Sequence, residues 1–249
     1  MSAIVKKRLD QLLVEQGLLQ SRERARAMIL AGRVLVAEQK IEKPGTSVPV
    51  EAVIRLLGED MPFVSRGGLK LAGALDHWPI AVTGRDCLDI GASTGGFTDC
   101  LLQRGSASVT AVDTGFGQIA MKLRNDPRVT LRERTNARLL VPGELNTTPP
   151  LTLLVMDVSF ISITLILPAV LKAAPQLHEA VLLVKPQFEA GREHVGRGGI
   201  VSDPTAHQLA VERVENSVRD SGWQCVGVIP SPITGTEGNQ EFLLYARKP

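Results

Sequence analysis

The sequence predicts an α/β chain: a doubly wound, mostly parallel sheet behind a small N-terminal α+β domain. Three observations predict it. From residue 86 onward short apolar runs alternate with amphipathic ones, the pattern of strands joined by crossover helices. Several of those apolar runs end in a charged residue, as ligand-binding strands do in such sheets. Before residue 60 the pattern is helix, helix and a short strand pair, which suits a small separate core.

In the first region Leu9, Leu12, Leu13 and Gln16 form a helical stripe that Gly17 ends. Ser21 caps a second helix with Ala25, Met28, Ile29 and Leu30 facing inward, and Gly32 stops it. VLV (34–36) and SVPV (47–50) are short strands around a Lys-Pro-Gly turn. Residues 61–80 form a joint, where Pro62 and Gly67-Gly68 break structure. Leu69, Leu71, Ala72 and Leu75 then begin a helix that carries Lys70.

The second region, 81–249, opens with the strand DCLDIG (86–91) and the helix FTDCLLQRG (97–105). SVTAVD (108–113), a helix over 116–125, RVTLRE (128–133) and the fully apolar LTLLVMD (151–157) follow. The helix ITLILPAVLKAA (163–174) leads to the strand EAVLLVKP (179–186), then to a Gly/Arg loop over 187–202. Asp203-Pro204 starts a long amphipathic helix over 205–222. WQCVGVIP (223–230) and EFLLYARK (241–248) have no helix between them and are expected to pair antiparallel at the sheet edge.

Composition narrows the function. The 249 residues carry a net charge of only +2, yet residues 1–33 hold Lys6, Lys7, Arg8, Arg22, Arg24, Arg26 and Arg33 against Asp10, Glu15 and Glu23. That local excess points to a polyanion contact. Cys87, Cys100 and Cys225 form no CxxC pair and are expected as buried, reduced thiols, without a disulfide framework or a metal site. No apolar run approaches bilayer length and the opening residues show no signal-peptide core, so a cytoplasmic protein without a membrane partner is expected.

Residues 87–98, CLDIGASTGGFT, place a glycine turn where doubly wound sheets bind ligands. A dinucleotide fingerprint would read G-x-G-x-x-G, but Ala92 and Ser93 follow Gly91, so its second glycine is missing. The observed Asp89-x-Gly91-x-x-x-Gly95-Gly96 resembles the first motif of S-adenosylmethionine-dependent methyltransferases. That likeness implies donor contacts by Asp89, Gly91, Ser93, Thr94, Gly95, Gly96, Phe97 and Asp157. Asp113 ends the next strand and suits the two hydroxyls of a ribose in either ligand class. Asn136, in RTNAR after the third strand, is a candidate reader of the adenine edge.

Residues 8–36, RLDQLLVEQGLLQSRERARAMILAGRVLV, resemble the S4 RNA-binding domain. The spacing of Arg8-Leu9-Asp10, Gly17-Leu18, Ser21-Arg22, Ala25, Ile29 and Gly32-x-Val34 carries that resemblance. It implies that the basic residues of 1–33 face RNA phosphates, which positions RNA without reading its sequence. Lys70, Asp157, Lys185 and Glu241 stand in the order of the Lys-Asp-Lys-Glu tetrad of FtsJ-like 2′-O-methyltransferases. The motifs VSRGGLKL, LDIGASTGGFTD, MDVSF, LLVKPQFEAGRE, GRGGIVSDP and GNQEFLL extend the resemblance to the TlyA family over residues 6–248.

That resemblance implies a Rossmann-like class I methyltransferase sheet of seven strands behind the S4 domain. It implies methyl transfer to ribosomal RNA cytidines by a monomer, with ribosomal RNA or a ribosomal subunit as partner. Lys185 would be the base, Asp157 and Glu241 would orient it, and Lys70 would hold ribose or phosphate. Two lysines near each other would ease deprotonation of one of them. Singly, each residue also reads as structural: a snorkelling lysine, a helix cap, an edge charge. Methylation of adenine amino groups lacks its Pro-Pro motif at 157–160, and methylation at carbon 5 of a pyrimidine lacks a Pro-Cys nucleophile. A pseudouridine synthase lacks its Gly-Arg-Leu-Asp motif. A non-catalytic ribosome-assembly factor and a hemolysin remain as the competing readings.

Overall fold

The computed structural model describes residues 5–19, 21–57, 61–235 and 237–249. The boundary expected at residue 60 and the first four residues lie outside that set. The chain divides into two compact units, Met1–Met61 and Pro62–Pro249.

In the smaller unit, strand β1 (Lys6–Arg8) leads into helix α1 (Leu9–Glu15), and helix α2 (Arg22–Leu30) follows. The Ser21 hydroxyl accepts from Arg24 N at 3.2 Å, the expected cap. Strands β2 (Val34–Val36), β3 (Gln39–Lys40), β4 (Ser47–Pro49) and β5 (Ile54–Leu56) complete it. Leu9, Leu13, Ala25, Ile29 and Val34 are fully buried together. The two strands expected to pair with each other do not. β2 pairs with β3 and β5, while β4 pairs with β1. The reason is a two-residue hairpin after β2, in which Ala37 (φ 49) and Glu38 (φ 62) are both left-handed. Neither is a residue that announces such a turn.

The larger unit begins with helix α3 (Gly67–His77), which takes in the stretch expected to be a joint. Gly67-Gly68 start this helix instead of breaking it. A Cβ on Gly68 would lie 2.3 Å from Phe63, and one on Gly96 would lie 2.8 Å from Gly68 N, so the glycines let α3 meet the next helix backbone to backbone. Strand β6 (Asp86–Ile90), helix α4 (Gly96–Gln103), strand β7 (Ser108–Val112), helix α5 (Met121–Arg124) and strand β8 (Val129–Arg132) follow. α5 is shorter than expected because Gly115 and Gly117 keep the preceding residues in a loop.

Strand β9 (Leu153–Met156), helix α6 (Leu167–Ala173), strand β10 (Glu179–Val184) and helix α7 (Pro186–Glu189) come next. Helix α8 (Pro204–Asp220), capped by Asp203 as expected, and strands β11 (Gln224–Pro230) and β12 (Phe242–Arg247) close the chain. The sheet has seven strands in the order β11-β12-β10-β9-β6-β7-β8. β12 runs antiparallel to both of its neighbours, so the expected hairpin forms with β12 inserted beside β10. Along β10, Ala180, Leu182 and Val184 pack toward α6 and α8, whereas Val181 and Leu183 pack toward α3 and α4. That two-faced burial makes the strand continuously apolar.

Candidate active site

The polar side chains marked at strand ends emerge on one edge of the sheet. β6, β7, β9 and β10 run parallel, and Gly91, Asp113, Asp157 and Lys185 are the residues just past their ends. β12 runs the other way, so Glu241, just before it, reaches the same edge. Lys70 arrives from α3. All four residues of the expected tetrad line a cleft of about 630 Å³ together with Gly91, Ser93, Thr94, Gly96 and Phe97.

Inside the cleft the charges are paired. Lys185 Nζ lies 2.6 Å from Asp157 Oδ1 and donates to Ser159 Oγ at 2.8 Å. Lys70 Nζ lies 2.5 Å from Glu241 Oε2. The group each lysine touches is thus a carboxylate, not the other lysine. Lys70, Lys185 and Glu241 are buried, so removing one partner leaves an uncompensated charge in a poorly solvated place. Asp157 Oδ1 and Glu241 Oε2 are the buried oxygens that the two ammonium groups hold.

The glycine turn is built for close approach. Gly91 (φ 86) and Gly95 (φ 96) are left-handed; a Cβ on Gly91 would sit 2.3 Å from the Asp157 carbonyl. Asp113 Oδ2 accepts from Ser93 N at 2.8 Å and its Oδ1 from Gly115 N at 2.6 Å, tying two loops to one carboxylate. Asp89 does not face the cleft. It is fully buried below the turn and accepts from the Thr98 hydroxyl at 2.6 Å. Burial pushes its carboxyl up to about 7, with nearby Asp157 adding to the shift and the Thr98 hydroxyl opposing it. A second cavity of about 540 Å³ shares Gly91, Ser93, Asp157 and Ser159 with the cleft and extends to Asp113 and Asn136. Asn136 Oδ1 accepts from Arg138 N at 3.1 Å, capping a short 3-10 turn.

Two groups at the site, Phe160 and Asn239, carried no sequence signal of a role. Phe160 sits on the rim of both cavities, 91% exposed and left-handed (φ 65). Asn239 clasps the Gly/Arg loop, accepting from Val201 N and donating to the Gly199 carbonyl, each at 2.9 Å. Val195 and Gly199 of that loop line the cleft, and His194 lies 3.8 Å from Glu193. Burial pushes the thiols of Cys87 and Cys100 to about 12 and that of Cys225, which is only partly buried, to about 11. None is a ready nucleophile near neutrality. Among the described residues no helix is long and apolar enough to cross a membrane.

In the smaller unit the basic residues fall into two sets. Arg8 and Arg22 both donate to Asp10, at 3.0 and 3.1 Å, and Lys7 pairs with Glu15 at 2.5 Å. Arg24 donates to the Met61 carbonyl. Lys6, Arg26 and Arg33 are exposed. Asp10 is fully buried, and the Arg8 fork, helped by Arg22, holds its carboxyl down at about 2. One buried acid therefore sets two half-exposed guanidinium groups side by side, a surplus of positive charge held in place.

Residues 63–248 match the model of the FtsJ-like methyltransferase family, and residues 7–54 match the S4 domain. The Mycobacterium tuberculosis protein named 16S/23S rRNA (cytidine-2′-O)-methyltransferase TlyA is 46% identical over 241 residues, covering 96% of this chain and 89% of that one. Hemolysin A of Brachyspira hyodysenteriae is 40% identical, covering 96% of this chain and 98% of its own. The solved structure of a Streptococcus thermophilus protein, described provisionally as a hemolysin, matches with a TM-score of 0.73 at 43% identity, over 99% of this chain and 90% of that one. The chain belongs to the FtsJ-like methyltransferases and, among them, to the TlyA family, in which an S4 domain precedes the methyltransferase sheet.

Proposed function

We propose that this protein transfers a methyl group from S-adenosylmethionine to the ribose 2′-hydroxyl of a cytidine in ribosomal RNA. The carrying observation is the meeting of Lys70, Asp157, Lys185 and Glu241 with the glycine turn in one cleft. The M. tuberculosis relative named for this reaction and the S4 domain support the choice of RNA. A ribosomal substrate implies work in the cytoplasm, and one cleft holding all four groups suits a monomer.

The residues present fit the donor. Each Asp113 oxygen accepts one backbone N–H and keeps a lone pair for a ribose hydroxyl. Asn136, at the far end of the second cavity, offers its amide group to the adenine edge. Gly91 and Ser93 line both cavities, Thr94, Gly96 and Phe97 line the cleft, Gly95 caps the start of α4, and Asp89 lies buried beneath the turn. Asp157 and Glu241 set negative charge beside the place where a sulfonium would lie. When bound, S-adenosylmethionine supplies an electrophilic methyl group whose bond to sulfur breaks as the bond to oxygen forms.

Lys185, held by Asp157 and Ser159, is the base: once its ammonium has given up a proton, the neutral amine takes the hydroxyl proton. Glu241 holds Lys70 in the same cleft, where the ammonium binds the ribose or its phosphate. Orientation of the hydroxyl in line with the methyl group supplies much of the acceleration. Phe160 offers an exposed ring face to the acceptor base at the rim. In the smaller unit Lys6, Lys7, Arg8, Arg22, Arg24, Arg26 and Arg33 contact RNA phosphates.

Transfer of labelled methyl from S-adenosylmethionine to ribosomal RNA tests the reading. Lys185→Ala should lower the rate by about 10²–10⁴-fold. Robust transfer by that variant would sink the assignment of the base. Identical 2′-O-methyl maps of ribosomal RNA from cells with and without the protein would sink the reaction.

A further inference from the structure

We propose that Glu189 is a positioning residue for RNA methylation, holding the arch that presents Phe160 to the acceptor nucleoside. The inference rests on the reading above and adds a residue with no place in the tetrad. The arch is Ser159 to Ile163, and the segment from Lys185 through α7 grips both its feet. On one side Lys185 donates to Ser159 Oγ at 2.8 Å. On the other, Glu189 Oε2 accepts from the Ser162 hydroxyl at 2.5 Å and Oε1 from Ile163 N at 2.7 Å. Between them Phe160 is left-handed and almost wholly exposed, a conformation that bulky side chains rarely adopt unless their surroundings impose it. Phe188, on α7 as well, lays its ring 5.5 Å from that of Phe160.

The chemistry at Glu189 suits holding geometry more than adding stability. Its side chain is buried, and both groups that donate to the carboxylate are neutral. Arg213 donates to the Glu189 backbone carbonyl, not to the carboxylate. Burial raises the Glu189 carboxyl above its ordinary value, which marks an environment that disfavours the charge. What the carboxylate contributes is two acceptors on one rigid group, matched to two donors. Ser162 gives its only proton to Glu189, so its oxygen is left to accept from Thr164 N at 3.1 Å. The foot of the arch is thereby locked to the start of the following turn.

A double-mutant cycle on the full-length enzyme tests this, using kcat/KM for RNA and donor affinity by calorimetry. Phe160→Ala and Glu189→Ala should each lower kcat/KM for RNA by about tenfold, inside the coupling range of contacting groups, with donor affinity unchanged. The double variant should be no worse than Phe160→Ala alone. Glu189→Gln, which keeps one acceptor, should fall between wild type and Glu189→Ala. Ser162→Ala removes one donor and serves where Glu189→Ala does not fold; it too should add nothing to Phe160→Ala. Losses that multiply would overturn the inference while leaving the methylation reading intact. Normal RNA methylation by Phe160→Ala would overturn it as well, and absence of transfer by the wild-type enzyme would remove the reading beneath both.

Discussion

Asp89 is the buried acid below the donor turn, and its chemistry makes stability depend on pH. Its carboxyl rises from 3.8 to about 7 on folding, chiefly through burial. The folded value lies above the unfolded one. The protonated form therefore supports the fold fully below about pH 4, and that support is lost as pH rises through about 7. Over the window from about pH 5 to 8 linkage gives a loss of roughly 2–3 kcal/mol from this group alone. For a unit of this size the melting temperature should fall by about 5–10 °C over the window. Carboxylates held low, such as Asp10, are already ionised there and contribute no slope. The perturbation is Asp89→Asn, whose carbonyl still accepts from Thr98 and whose constant cost, whatever its size, cannot vary with pH. Melting curves of wild type and variant are recorded across the window by circular dichroism. The wild type should lose ground to the variant steadily between pH 5 and 8. Parallel curves would refute the reasoning, because they would mean that Asp89 folds as a carboxylate with an ordinary titration.

Three further outcomes follow from named contacts. Gly96→Ala should push α3 off α4, since its Cβ would lie 2.8 Å from Gly68 N, and cost about 1–3 kcal/mol; an unchanged melting temperature would contradict that close approach. Asp10→Asn should destabilise the smaller unit at pH 7 by about 1 kcal/mol, discounted because both arginines are half exposed. The folded value of Asp10 is low, so its contribution is lost as pH falls through about 2; denaturation at pH 7 and pH 3 should show the variant's deficit shrinking, and a constant deficit would argue against the ion pairs. Asp113→Ala removes the acceptor of Ser93 N and Gly115 N and the proposed partner of the donor ribose, and calorimetry should show donor binding weakened by roughly ten- to a hundredfold.

The site was legible in the sequence to the extent that it follows the backbone period. An apolar strand read from its hydrophobicity also gives the residue at its end, so Asp113, Asp157 and Lys185 could be set on one edge before any pairing was known. Glu241 needed the further step that the last strand runs antiparallel, which the missing helix before it supplied. What period cannot give is the partner. Lys70 and Glu241 stand at opposite ends of the larger unit's sequence, and only the packing of α3 against β12 brings them to 2.5 Å. Each of the two lysines expected in the site is held by a carboxylate of its own. Nor can period give a left-handed residue that is not glycine. Ala37-Glu38 redirected the small sheet for that reason, and Phe160 passed as part of a motif without a role. The two misses share a physical cause. A residue takes a disfavoured backbone conformation when contacts distant in sequence compel it, and those contacts, Ala37 N to the Val53 carbonyl in one case and Ser162 against Glu189 in the other, are what a one-dimensional reading lacks. Where a motif holds such a residue, function should be sought in what compels it as well as in the residue itself.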